Sequence, residues 1–159
     1  MATVTGILAN IKNRMTVVTG IGRVHSYWRW AHQDSDFNSI GITGSHVNFW
    51  QIRRRASSEK WLTSFQYERS HDIEFFGAYS LKDNTPSEPV FQGIVERVAN
   101  IFRSTTGKTL GDTVSSLVDG AQGGLQIQSI QEEIVFNILC HVCRARLRVR
   151  ELPSSFPTT

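Results

Sequence analysis

The sequence is poor in the residues that staple or chelate. Of its 159 residues only Cys140 and Cys143 are cysteines, too few and too close together for a disulfide framework, so a reducing compartment is expected. No second cysteine pair completes Cys140-His-Val-Cys143 into a zinc site, and on a strand the two thiols would point to opposite faces. No run of 18 apolar residues exists to span a bilayer. Met1 to Ile11 lacks a basic start followed by an apolar stretch, so no signal peptide is read there. The charge surplus is only +3, too small by itself to imply a nucleic-acid partner. With 40% apolar and 19% charged residues, the chain has a globular composition. Its length suits a single domain, read as residues 1–151, with 152–159 as a flexible C-terminal tail.

Periodicity then lays out the elements. Val4, Ile7, Leu8, Ile11, Met15 and Val18 form one helical stripe, with Thr3 as cap and Gly20 and Gly22 as stop. Arg23 to Trp30 reads as a strand, and 33–46 as a polar loop with a short helical turn at most. A strand over Val47 to Arg54 follows. Trp61 to Tyr79 alternates with period two and reads as one long strand. Thr85-Pro-Ser-Glu88 is a capping box opening a helix whose buried face is Phe91, Ile94, Val95, Val98, Ile101 and Phe102. Residues 104–124 are rich in glycine, and such a stretch is often functional. Strands over Leu125 to Glu133 and Val135 to Glu151 close the chain. The order α-β-β-β-α-β-β predicts an α+β fold: a mostly antiparallel mixed sheet of about four to five strands, with two main helices packed on one face.

Familiar catalytic motifs fail on their mechanics. Thr106-Gly-Lys-Thr109 ends like a phosphate-binding loop, but Phe102 stands where the first glycine is needed and a helix precedes it. Gly20-Ile-Gly22 begins like a dinucleotide fingerprint, yet it follows a helix and His25 replaces the third glycine. His25, His32, His46, His71 and His141 lie in no recognisable serine or cysteine motif, and alternation separates His71 from Asp72 and Glu74. The chain is therefore read as a non-enzyme without cofactor or metal. Tyr27, Trp28, Trp30, Trp50 and Trp61 suit core or interface packing better than base stacking, since few lysines accompany them.

The most informative pattern is a row on the last strand. Arg144, Arg146, Arg148 and Arg150 share one face, with Ala145, Leu147 and Val149 on the other. Three readings are open: a solvated face, a cross-strand match to the acidic row of Glu68, Asp72 and Glu74 within or between subunits, or a comb facing the phosphates of passing DNA.

Ile7-Leu-Ala-Asn-Ile-Lys12, Gly20-Ile-Gly-Arg-Val-His-Ser-Tyr-Trp-Arg-Trp30, Ile52-Arg-Arg-Arg-Ala56, Tyr67-Glu-Arg-Ser-His71 and the late Cys140-His141 together resemble the phage tail terminators, a family of head-to-tail joining (neck) proteins. The resemblance is scattered over residues 4 to 150. It implies a mixed sheet with helices on one side and a six-membered ring that caps the tail tube. The implied partners are sister copies, tail tube protein, sheath protein in contractile tails, and connector or stopper proteins of the head. Genomic DNA would pass through the ring, no membrane would be involved, and the location would be the virion. A head-completion or adaptor protein, or a nucleic-acid-binding module, is the alternative.

Overall fold

A computed structural model describes residues 3–30, 34–43, 46–82, 84–104, 110, 116–118, 124–151 and 154–155. The chain runs α1 (Val4–Met15), β1 (Arg23–His25), α2 (Asp34–Ile40), β2 (Ile42–Thr43), β3 (His46–Thr63), β4 (Gln66–Ser80), α3 (Ser87–Ser104), β5 (Ser116–Val118), β6 (Gln126–Val135), β7 (Ile138–Glu151) and β8 (Ser154–Ser155). The fold is α+β, with a mixed, open sheet. Its frame is the antiparallel set β3-β4-β7-β6. Shorter strands extend that frame: β1 joins β3 in parallel, β2 joins β3, β5 joins β7 and β8 joins β4.

Side-chain alternation on β4 divides the core in two. Ile73 and Phe75 point to one face, with Trp50, Ile52, Cys143, Ala145, Leu147 and Val149 from the neighbouring strands. Helices α1 and α3 cover this face with Ile7, Ile11, Met15, Phe91, Ile94, Val98 and Phe102. Each such fully buried side chain contributes roughly 1.5–3 kcal/mol. Phe76 and Ala78 point the other way and meet Phe49, Cys140, Val142 and Ile40. There α2, with Phe37, and the half-buried Trp28 and Phe136 make a second, aromatic cluster.

Local chemistry explains most boundaries. The Thr3 hydroxyl accepts from the Gly6 N–H at 3.0 Å, and α1 ends at Met15, three residues before the apolar stripe does. Gly22 has φ of +73°, and a Cβ there would lie 2.3 Å from the Asn48 carbonyl oxygen. Helix α3 starts at Ser87, past Pro86. The expected strand from Trp61 to Tyr79 is two strands: a turn at Ser64-Phe65 folds β4 back on β3, with the Phe65 N–H donating to the Thr63 hydroxyl. That turn holds no glycine, proline or asparagine, so the usual hairpin signals are missing. The matching strand carries no large apolar side chain over 55–60, and its Trp61 and Leu62 are adjacent, so it shows no apolar alternation. At the next hairpin Phe136 and Asn137 take φ of +50° and +63°, the conformation of a primed two-residue turn. The expectation of a loose tail from 152 needs correction at one point, where Ser154 and Ser155 pair with Tyr67 and Gln66 of β4. The phosphate-loop-like Thr106–Thr109 and most of the glycine-rich 104–124 stretch lie outside the described residues.

Two predictions follow from the core. A Cβ on Gly77 would lie 2.4 Å from the Trp50 indole, so Gly77→Ala should cost about 1–3 kcal/mol through overpacking; an unchanged calorimetric midpoint would contradict it. His25 donates from Nε2 to the Ile40 carbonyl at 2.9 Å, and burial holds its pKa below the usual 6.5. The unfolded chain then binds the extra proton, so stability is full above about pH 6.5 and falls as the pH drops below it. His25→Gln should flatten that slope in urea titrations at pH 5 and pH 7.5.

Candidate interaction surface

The alternation that buries Ile73 and Phe75 turns Asp72 and Glu74 to the opposite face. The β4–β7 register sets Asp72 beside Arg148 and Glu74 beside Arg146. The β3–β4 register sets Arg53 beside Glu74 on the other flank. Charges of both signs are thereby interleaved across three strands. Arg146 bonds Asp72, and Arg148 Nε lies 3.6 Å from the other Asp72 oxygen. Arg53 bonds Glu74 at 2.7 Å, and Arg55 approaches the same oxygen to 3.7 Å. Arg150 lies 3.8 Å from Glu68. Arg144 instead reaches outward to Glu133 of β6 through two bonds of 2.7 and 3.1 Å. The amide of Gln131, together with Arg144, holds the Glu133 carboxyl below its usual pKa.

Of the three readings of the arginine row, the geometry within one copy matches the cross-strand pairing. Arg146, Arg148 and Arg150 meet Asp72 and Glu68, while Glu74 is taken by Arg53 and Arg55 from β3. Sequence reasoning missed Arg53, Arg55 and Glu133, because only the registers of β3 and β6 bring them into the row. The pairs are partly exposed, so each contributes on the order of 0–1 kcal/mol. Grooves of about 410 and 430 Å³ lie along this face, lined by Arg55, Asp72, Glu74, Gln128, Arg146 and Arg148.

The second feature is the far end of the β3–β4 hairpin. A bulge at Arg55 separates it from the body, and residues 54–66 are all exposed. Eight residues of extended strand carry the tip roughly 25 Å beyond the bulge. At that tip Trp61, Leu62 and Phe65 are 58, 43 and 74% exposed. Large apolar side chains grouped on a projecting element are unusual on a monomer surface and mark contact sites. Trp30 and Tyr27 are exposed as well, whereas Trp50 is core and Trp28 stacks under the Arg53 guanidinium, 3.9 Å from its ring centre.

The described histidines are tied into the fold; His32 lies outside the described residues. His71 and Glu151, both buried, bond at 3.2 Å, a partnership across 80 residues that sequence could not announce. His141 Nε2 lies 3.0 Å from the Ser87 hydroxyl, and Glu132 stands beyond Nδ1 at 3.8 Å. This has the order of a hydrolase triad, but Glu132 is outside hydrogen-bond reach. Ser87 is buried, and its oxygen also accepts from the Lys82 N–H at 3.1 Å. The trio clasps the start of α3 to β7. Burial pushes the thiols of Cys140 and Cys143 up to about 11 and about 12. The two sit in different clusters on opposite faces, and no group of three or more His, Cys, Asp or Glu side chains fit to hold a metal occurs among the described residues. No helix is long and apolar enough to cross a membrane among the described residues. No protein family and no curated protein matches the chain.

A double-mutant cycle tests the charge lattice. Asp72→Ala and Arg146→Ala should show a coupling of about 0.5–1 kcal/mol by urea denaturation, smaller in high salt. Additive effects would leave the pair as uncoupled surface charge.

Proposed function

We propose that the chain is a structural assembly subunit, a phage tail terminator that forms a ring, in the resemblance's terms a hexamer, on the end of the tail tube. The observation that carries the reading is the projecting hairpin that offers Trp61, Leu62 and Phe65 to another molecule. A charged, salt-bridged face and an open sheet accompany it. These are materials of protein–protein contact, where aromatic anchors supply most of the binding energy and charge supplies orientation. In this reading the hairpin tip meets tube, sheath or connector protein, and the arginine-rich face lies toward neighbours or the DNA path. The chain then acts in the virion neck. A head-completion or adaptor protein uses the same surfaces and differs only in its partner.

Light scattering after size exclusion, with negative-stain imaging, should show rings at high concentration or on added tail tubes. Monomers under both conditions would overturn the reading. Replacing Trp61 and Phe65 with serine should leave the thermal midpoint within about 2 °C, since exposed positions cost little, yet abolish head joining in a tail-completion assay. Normal joining by that variant would remove the tip from the argument.

A further inference from the structure

The frame β3-β4-β7-β6 has an open edge at each end, and the two edges carry opposite charge. Beyond Gln51, where β1 stops, the outer side of β3 has no strand partner among the described residues. Strand β6 likewise pairs only with β7 among the described residues. Open edges are pairing templates, and folded proteins ordinarily shield them or load them with charge. The β3 edge carries Arg53, Arg54 and Arg55, of which Arg53 and Arg55 share Glu74 of their own copy. The β6 edge carries Glu132 and Glu133, of which Glu133 pairs with Arg144, so the charge offered to a neighbour rests on Arg54 and Glu132. An arginine edge repels its own kind, and so does a glutamate edge. Only the unlike pair attracts.

We infer that β3 of one copy adds to β6 of the next, continuing the sheet from subunit to subunit. The inference rests on the ring reading and names the surface that closes it. Strand direction permits it: β3, β4, β7 and β6 alternate in sense, so the new pair is antiparallel like its neighbours. Facing permits it too. Arg54 stands opposite Ile73 and Glu132 opposite His141, which itself stands opposite Tyr79. Both therefore project on the face that α1 and α3 cover, whereas Arg55 and Glu133 project on the other.

Placing Arg54 of one copy against Glu132 of the next sets a stagger. The rows of Ile73 and Tyr79 differ by six residues, about 20 Å along the strands, over a frame four strands and about 19 Å wide. Copies related by that step sit level when the strands tilt about 45°, at the upper end of the range of closed barrels. The contact is heterologous, since one edge always meets the other, and such contacts generate rings when the rotation closes.

Charge reversal tests this without unfolding the chain, because Arg54 and Glu132 are both exposed. Arg54→Glu alone and Glu132→Lys alone should each weaken self-association about tenfold or more by sedimentation, with wild-type circular dichroism. An equal mixture of the two variants should recover assembly, because every contact in an alternating series again joins unlike charges. Singly substituted chains that assemble as the wild type does, or a mixture that stays apart, would overturn the edge pairing while leaving the ring reading standing. A wild-type chain that never associates, alone or on tail tubes, would remove both.

Discussion

Strand β4 is paired on both flanks through Ser70–Tyr79, and each of its side chains must serve one face or the other. That two-residue period is the constraint on which the rest depends. Ile73 and Phe75 draw α1 and α3 over one face, which fixes the core. The same backbone then has no choice but to turn Asp72 and Glu74 outward to the other. Because β3 and β7 are held in register by the ladder, Arg53, Arg146 and Arg148 arrive beside those carboxylates. A slip of one residue would bury the charges and expose the core, so the hydrophobic cost of a slip protects the charge lattice far more strongly than its own pair energies do.

The charged face and the hairpin tip divide the work of contact. Ion pairs that are partly exposed add little to stability, and the fold does not need them. Their value lies in pattern: alternating charge over three strands accepts a complementary surface in one registration and resists others. The tip supplies apolar area that the charged face lacks. It stands beyond the bulge at Arg55, and its exposed side chains face outward at little cost to the core.

Much of the fold is legible in the sequence because it rests on local periodicity. The stripe from Val4 to Val18, the Phe91–Phe102 face and the alternation from Arg144 to Arg150 each follow from one element alone. The turn at Ser64-Phe65 was not legible, since a side-chain hydroxyl and strand pairing stabilise it instead of a glycine. Helix α2 was hidden for a related reason: only Phe37 and Ile40 mark it, and they bury against strands distant in sequence. The site divides the same way. The arginine and acid rows could be read from alternation, and their match could be suspected. Glu133 as the partner of Arg144, and Glu151 as the partner of His71, are properties of register and long-range closure, which a linear reading does not contain.

The bulge between Arg54 and Ala56 has a further consequence. On its near side Phe49, Gln51 and Arg53 share the face of Asp72 and Glu74; on its far side Ala56 and Ser58 do, because Arg55 is the extra residue. Loss of Arg55 would leave Arg54 opposite Ile73 and Ala56 opposite Asp72, so the outer side chains would keep their faces, but it would remove the bend and extra twist that a bulge gives its strand. Point substitutions retune this arm without moving it, whereas a three-nucleotide deletion would re-aim it in a single evolutionary step.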